Sequence, residues 1–423
     1  MEMVVAGTRY VFWVVRTCKS ERIQPMKMKP VEFIALSAST MTLTALGIDI
    51  MLPVFAELRH HFGLRPESTA TADIIVFFFL GQIAQIIFGV FSDRYGRLAI
   101  LRIGFPLYIV GGIAATFAPT LALMLAARFV AGMGASAVFM TTIACVRDRF
   151  VGDQMARTMS LVFTIFLFTP VIAPFLGIAI LSVSSWHMVF LTPPLFAVLV
   201  FLWSLRLEES LPPERRNALD WKTIMQSVRR VITNRTFLRY TCVTTVLFTA
   251  LSSYVSSSEH IVGEIYGRPE LFAWLFAGIG LVMCCCTLLN SRWSTRYGAR
   301  RTIRSLTVIY AAIGSLLLLV TFSMGDPPPI PVFFIAVALL MGINIAVEPN
   351  SSALALEPMG NTAGLAASVS GTALFFIGAS LGSVISHFMV HEVYPIVISF
   401  FVIGLTTVIL VYSDRRPLVR KVS

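Results

Sequence analysis

The sequence predicts an all-α polytopic membrane protein: twelve transmembrane helices in two pseudo-symmetric six-helix halves, with both termini cytoplasmic. Three observations predict it. The first is composition. Of 423 residues, 57% are hydrophobic and 13% charged, and the mean hydropathy is +0.81, a balance foreign to soluble domains. The second is a series of apolar runs long enough, with their flanks, to cross a bilayer. They fall near 31–55, 72–90, 98–117, 121–145, 159–181, 188–205, 237–255, 271–289, 303–322, 331–347, 364–387 and 393–412. The third is charge placement. With the N-terminus inside, 29 of the 33 Lys and Arg lie in inside segments. Arg59, Arg65 and Arg268 lie in outside loops, and Arg128 lies within a span. Lys and Arg accumulate on the cytoplasmic side of membrane proteins. The net charge of +11 is therefore explained without a nucleic-acid partner.

The runs divide the chain. Residues 1–30 form a cytoplasmic N-terminal segment. Its apolar stretch 11–15 is too short to span, and it lacks the pattern of a secretory signal. Two readings stand: translation starts at Met26 or Met28, or the segment is an interfacial or disordered tail. Residues 31–206 form the first bundle, 207–236 a linker, 237–413 the second bundle and 414–423 a basic tail. Within the linker, Trp221, Ile224, Met225, Val228, Val231 and Ile232 recur at helical spacing beside Lys222, Arg229 and Arg230. That pattern fits an amphipathic helix on anionic lipid; a plain charged linker is the alternative. The six cysteines include three in a row, Cys284 to Cys286, which point in different directions on a helix and so cannot chelate one metal.

A charged turn separates the second and third runs: Gly89-Val90-Phe91-Ser92-Asp93-Arg94-Tyr95-Gly96-Arg97. Asp93, Arg94 and Arg97 are too costly for hydrocarbon and belong at the surface, paired or hydrated. Gly89 and Gly96 permit close approach and unusual φ. An ordinary positively charged inside turn would satisfy the same charge pattern. The turn recurs as Thr295-Arg296-Tyr297-Gly298, an offset of 202 residues, as expected of a duplicated architecture. The second copy has Thr295 in place of the acid and Ala299 in place of Arg97.

Two ionisable residues fall inside runs. Asp49 lies near the outer end of the first, in Gly47-Ile48-Asp49-Ile50-Met51-Leu52-Pro53. A carboxylate in a membrane is a functional candidate, because it can hold a proton or a cationic substrate alternately; a hydrated helix cap is the other reading. Arg128 lies in the fourth run, followed by Gly132, Gly134 and Ala135, which let a neighbouring helix pack closely. It faces a polar cavity or an acid, or it snorkels to the cytoplasmic edge. Pro170, Pro174 and Gly177 in the fifth run bend that helix. Gln82, Gln85, Glu259, Asn344 and Glu348 are candidate cavity residues. Glu259, Glu348 and Asp73, near span ends, also fit interfacial positions. Phe77, Phe78 and Phe79 fit packing better than a substrate surface.

The turn at Asp93 resembles the signature loop of the major facilitator superfamily. The Arg128 segment is similar to that superfamily's R-x-x-x-G-x-G motif, whose Arg is tied to proton coupling. The Pro170–Gly177 run is similar to the antiporter motif of drug-exporting members, departing from it at Ala173 and Ile178. Together with Asp49–Pro53, Phe79–Gln82, Ser92–Arg97 and Val146–Phe150, these segments resemble the Bcr/CflA group of drug–proton antiporters over nearly the whole chain from Met28. Some multidrug members carry a second acid about two turns before the Asp49 position, where this chain has Met41. The resemblance implies a monomeric exporter in the cytoplasmic (inner) membrane. It implies small-molecule substrates and protons as partners, lipid around it, no cofactor, and halves that rock about a central site. It also implies that the Asp93 loop braces one state by pairing with helix ends of the other half. The alternatives are a symporter or facilitator importing a nutrient, or an exporter of an endogenous metabolite. Neither a nucleophile elbow, an H-E-x-x-H motif nor a metal-spaced His set is present in the sequence, which argues against an enzyme.

A chain beginning at Met26 is expected to insert and to transport at the full-length level. Loss of membrane insertion in that truncation, read by membrane fractionation, would refute the expectation.

Overall fold

The computed structural model describes residues 28–150, 152–215 and 221–414. The N-terminal segment before Met28, the side chains of Trp221, Lys222 and Ile224, and the basic tail after Asp414 lie outside the described residues.

Nearly every apolar run becomes a rod of helix, and the breaks have identifiable causes. Pro30 occupies the first turn of α1 (Pro30–Asp49), where a missing N–H costs nothing. Pro53 cannot donate to the carbonyl of Asp49 four residues earlier. The helix therefore stops at Asp49, passes through a 3-10 turn at Leu52–Val54 and resumes as α2 (Phe55–His61). The first rod thus extends six residues beyond the expected end at Phe55. The second rod comprises α3 (Asp73–Gly81), a tight 3-10 turn at Gln82–Ala84 and α4 (Gln85–Tyr95). Then follow α5 (Arg97–Thr116) and α6 (Leu121–Arg149), the latter capped by the Thr120 hydroxyl accepting from the Leu123 N–H. α7 (Gly152–Leu181) begins well before the expected residue 159, and α8 (Trp186–Ser204) closes the first set.

The linker contains α9 (Trp221–Thr233). Val231 is buried, while Met225 and Ile232 are exposed beside Arg229 and Arg230. Asn234 then caps α10 (Arg235–His260), accepting from the N–H groups of Thr236 and Phe237. The remaining elements are α11 (Phe272–Tyr297), α12 (Ala299–Met324), α13 (Ile330–Leu356), α14 (Ala363–Ala373), α15 (Ala379–His387) and α16 (Tyr394–Tyr412). A π-helical turn at Leu374–Gly378 joins α14 to α15.

Eleven of these rods are long and apolar enough to cross a membrane. α10 is the exception among the long helices of the bundle. Its 26 residues give a length of about 39 Å at the usual rise, but it is rich in Ser and Thr. Its polar face does not meet lipid: Ser252, Ser253, Ser256, Ser257 and Ser258 are all buried. Several of these hydroxyls return to the helix's own carbonyls, as Ser256 does to Ser252 at 2.7 Å. A polar helix is tolerated at membrane depth when protein surrounds it. By contrast Trp274, Leu199, Phe322 and Ile409 are exposed, as residues facing acyl chains would be.

Within the first set α6 lies between α3 and α5, and within the second α11 and α12 both flank α13. The sets meet where α7 packs on α11, α3 on α10 and α15, and α4 on α14. Small residues set how closely α6 can approach. A Cβ on Gly132 would overlap the Phe78 carbonyl of α3, and one on Gly134 would overlap the Tyr108 backbone nitrogen of α5. The two glycines face opposite neighbours, as residues two apart on a helix do. This is membrane packing by backbone contact rather than by interlocking side chains.

Gly132→Val is expected to force α3 from α6. Overpacking a close contact costs about 1–3 kcal/mol, so a fall in melting temperature of several degrees in detergent is expected, read by size-exclusion thermal challenge. An unchanged melting temperature would show that the α3–α6 contact can relax freely.

Candidate functional site

The buried polar centre of the first set is built around Arg128. Its side chain is 2% exposed. The guanidinium donates from Nη2 to the Gly47 carbonyl of α1 at 2.6 Å and from Nε to the Ile74 carbonyl of α3 at 3.3 Å. Its carbon lies 4.4 Å from the centre of the Phe78 ring, a favourable cation–π position. So Arg128 turns into the bundle instead of reaching to its edge. It sits two turns into α6 from Leu121 and ties three rods together. No carboxylate pairs with it among the described residues.

Tyr108 of α5 completes the clasp. Its hydroxyl donates to the Leu43 carbonyl at 2.7 Å, and a Cβ on Gly47 would lie 2.6 Å from that oxygen. Two consecutive turns of α1, at Leu43 and Gly47, are therefore held by side chains of α5 and α6. Asp49 follows two residues later, at the last position of α1. It is buried and makes no hydrogen bond or ion pair among the described residues. Pro53 leaves its carbonyl without the next-turn donor, as shown above. The fifth rod closes on the same turn, because a Cβ on Gly177 would overlap the Ile50 carbonyl. Pro170 and Val171, two turns away, pack against Gly280 of α11. The Pro170–Gly177 segment thus touches the Asp49 turn at one end and the other set of helices at the other.

The loop at Asp93 is a second polar centre. Gly96 ends α4 and begins α5 with φ of +98°, a conformation that L side chains rarely adopt. Arg97 turns back into the protein. It donates to Asp148 of α6 from Nε at 2.8 Å, to Ser92 at 3.0 Å and to Asp93 at 2.6 Å. The carboxylate of Glu209 accepts from the backbone N–H groups of Arg97 and Leu98 at 2.9 and 3.2 Å, an anion on the positive end of α5. Ser210 donates to Asp148, and Arg149 lies over Phe33 and bonds the Glu208 carbonyl. Arg94 is exposed, and Gly89 meets the Ser368 hydroxyl of α14. The ion pairs found for Asp93 and Arg97 stay within the first set; they do not reach helix ends of the other half, the pairing that the resemblance implies. The repeat supplies the counterpart. Gly298 has φ of +80°, and Asp414, after the last rod, faces Arg300 at 3.9 Å and accepts from Tyr240 at 2.9 Å.

The candidate cavity residues do not converge on one surface. Asn344 donates to the Leu247 carbonyl at 2.6 Å and ties α13 to α10. Glu348 lies one turn further along α13, half-buried. Gln82 and Gln85 are buried with each Nε2 lacking a partner, and Gln85 faces Gly371 of α14. Between them and α10, Phe79, Phe248 and Phe375 form a ring triad with centroids 5.2–5.9 Å apart. Phe78 serves Arg128 instead, and Phe77 is half-exposed.

Glu259 is buried against Arg59 of α2 at 2.9 Å. Arg59 is itself 2% exposed and is not an outside-loop residue, as its place after the first apolar run suggested. Asp73 accepts from Ser383 and lies 3.4 Å from His387. Sequence reasoning missed Arg59, Tyr108, Asp148 and Glu209. Asp148 carried a signal, since it lies in the Val146–Phe150 segment; the others carried none.

The profile of the Major Facilitator Superfamily matches residues 38–267. Among curated proteins, a bicyclomycin resistance protein homolog of Haemophilus influenzae is 29% identical over 376 residues, which is 87% of this chain and 91% of that protein. The uncharacterized MFS-type transporter YdgK of Bacillus subtilis is 28% identical, covering 81% of this chain and 84% of its own length. Multidrug resistance protein MdtL of Escherichia coli is 28% identical over 56% of this chain and 59% of its own length. Among solved structures, the D-xylose–proton symporter superposes with a TM-score of 0.71 at 12% identity, covering 92% of this chain and 98% of the other. The human organic anion transporter MFSD10 gives 0.68 at 15%, covering 91% and 99%. At these identities the structures speak to the fold.

Arg97 and Asp148 are expected to behave as one unit. In a double-mutant cycle of Arg97→Gln and Asp148→Asn, thermal stability in detergent should show a coupling of about 0.5–3 kcal/mol. Additive losses would mean that the loop is held by Glu209 and the glycine turn alone.

Proposed function

The chain belongs to the Major Facilitator Superfamily, and on that premise we propose that it exports drugs or other small amphipathic compounds in exchange for protons. It would do so by alternating access across the cytoplasmic membrane. It is a multi-pass membrane transporter of that superfamily rather than an enzyme. Drug export is supported by the names borne by the relatives, one a bicyclomycin resistance protein homolog and another a multidrug resistance protein.

We count twelve spans, adding α10 to the eleven apolar rods, with both termini in the cytoplasm. The two halves are 31–206 and 237–413, joined by the linker and its lipid-facing α9. Under that topology the Gly96 end of the bundle is cytoplasmic and the His61 end faces outward. The protein works as a monomer.

The observation that carries proton coupling is Asp49, a buried acid with no cationic partner, on a turn held from outside its own helix. An acid in an ion pair is committed to its cation. An unpaired one is able to take up a proton and return it. The carbonyls of Leu43 and Gly47, clasped by Tyr108 and Arg128, hold α1 in place on one side of it. Gly177 packs directly on the next carbonyl. In this reading a proton from the outer side neutralises Asp49, and substrate entering from the cytoplasm displaces it. Arg128 is a positioning residue: it sets the rotation of α1 and so the direction of Asp49. Pro170, Pro174 and Gly177 let α7 transmit a change at Asp49 to α11. The aromatic triad and the two free glutamine amides offer stacking and neutral hydrogen bonding at the contact between halves.

Asp49→Asn is expected to abolish concentrative transport of radiolabelled bicyclomycin in proteoliposomes under an imposed pH gradient, with binding retained. Asp49→Glu should keep part of the activity with a shifted pH profile. Arg128→Ala should abolish coupled transport with expression maintained. Arg128→Lys should be partly tolerated, because Lys keeps the charge but loses the fork. Concentrative transport by the Asn variant would move coupling away from Asp49. Absence of bicyclomycin transport in the wild type, with transport of another probe down its own gradient, would favour the facilitator alternative.

A further inference from the structure

The ion cluster of Arg59 is used by none of the steps above. It is built with care for a place so deep in protein. Nη1 of Arg59 donates to Oε2 of Glu259 at 2.9 Å, and Nη2 donates to Oε1 of the same carboxylate at 3.0 Å. Nη2 also reaches Oε1 of Glu264 at 3.0 Å. The first pair is a two-pronged, planar contact between side chains 2% and 9% exposed, while Glu264 is 35% exposed. Paired N–H bonds of this kind fix orientation as well as distance.

Arg59 rides on the first rod. Glu259 is at the end of α10, and Glu264 is in the π-helical turn Ile261–Ile265 that follows it. The partners stand 200 residues apart in sequence and belong to different sets of six rods. A second cross-set contact lies at the same end, where Asp73 of α3 meets Ser383 and His387 of α15. At the Gly96 end, the ion pairs found among the described residues stay within a set: Arg97 with Asp93 and Asp148, and Arg300 with Glu357.

We propose that Arg59, Glu259 and Glu264 form the latch that holds the His61 end of the bundle closed, and that transport alternates on breaking it. Asp73, Ser383 and His387 form a weaker strap beside it. The proposal rests on alternating access between the two sets, not on the identity of the cargo.

The sign of each variant follows from burial. In the closed state, removing Arg59 leaves the Glu259 carboxylate buried and unpaired, and removing Glu259 strips Arg59 of its two-pronged partner and leaves it only the part-exposed Glu264; breaking a buried pair in this way is strongly unfavourable. In the open state the same charge is hydrated. Neutralising either Arg59 or Glu259 therefore shifts the population toward the state open at the His61 end. Glu264 is a third of the way to solvent and shares a nitrogen that Glu259 already occupies, so its loss should matter far less. Exchanging the charges, Arg59→Glu with Glu259→Arg, restores an opposite pair, and it is combined with Glu264→Gln so that the carboxylate placed on the first rod meets no second one.

The test is a distance measurement. Spin labels are placed at Arg65→Cys and His391→Cys, both exposed at the His61 end, after the native cysteines have been replaced by serine. Pulsed dipolar spectroscopy is then run on the full chain in lipid nanodiscs, beside bicyclomycin transport in proteoliposomes. The unsubstituted latch and the charge-exchanged pair should give mainly the short distance. Arg59→Gln and Glu259→Gln should each raise the long-distance population relative to the short one at least tenfold, and Glu264→Gln less than threefold. Unchanged distances in both Arg59→Gln and Glu259→Gln would overturn the latch, whatever happens to transport. A failure of the exchanged pair to return the short distance would also overturn it. The expected distance shifts, found in a protein that carries no bicyclomycin, would leave the latch standing and refute drug export of that compound.

Discussion

A cation buried in the bundle without a carboxylate must be neutralised by dipoles, and Arg128 shows how this protein does it. Two backbone carbonyls from two different rods and one aromatic face surround the guanidinium. The guanidinium is buried, so its donors cannot leave their acceptors without a large penalty. The positions of α1, α3 and α6 are therefore coupled. The glycines of α6 make that coupling possible, because they bring its backbone close enough for a side chain to reach across. Asp49, the one unpaired acid on that turn, inherits its placement from the clasp.

The same rule organises the two ends of the bundle in different ways. At the Gly96 end, charges pair within each set of helices, and the segment after each sixth rod folds back on the start of the third. Glu209 does this in the first set and Asp414 in the second. At the His61 end, Arg59 pairs across the sets. Charged contacts are thus internal to each set at the Gly96 end and shared between the sets at the His61 end.

α10 ties these themes together. It is too polar to read as a span by hydropathy, yet most of its hydroxyls are buried, and Ser253, Ser256 and Ser258 return theirs to carbonyls of their own turns. It carries Glu259 at one end and contributes Phe248 to the aromatic triad nearer its middle. It meets the opposite set through Phe248, set against Phe79, and through Glu259, paired with Arg59.

The sequence by itself determined the membrane class, the position of most spans and the repeated turn. These are local properties, since hydropathy, helix-breaking prolines and the glycine turn act within a few residues, and the bilayer supplies the long-range constraint. The resemblance read from the Asp93 loop and the Arg128 segment agrees with the superfamily whose profile matches. Only the tertiary structure decided which groups meet. Arg59 looked like a loop charge, Glu259 a cavity or interfacial acid, and Arg128 a residue facing a polar cavity, an acid or the edge of the span. The first two became partners, and the third found carbonyls. In spans that are apolar on every side, the sequence does not encode which face turns inward. That rotation is set by close packing at residues such as Gly132 and Gly177 and by pairings hundreds of residues apart.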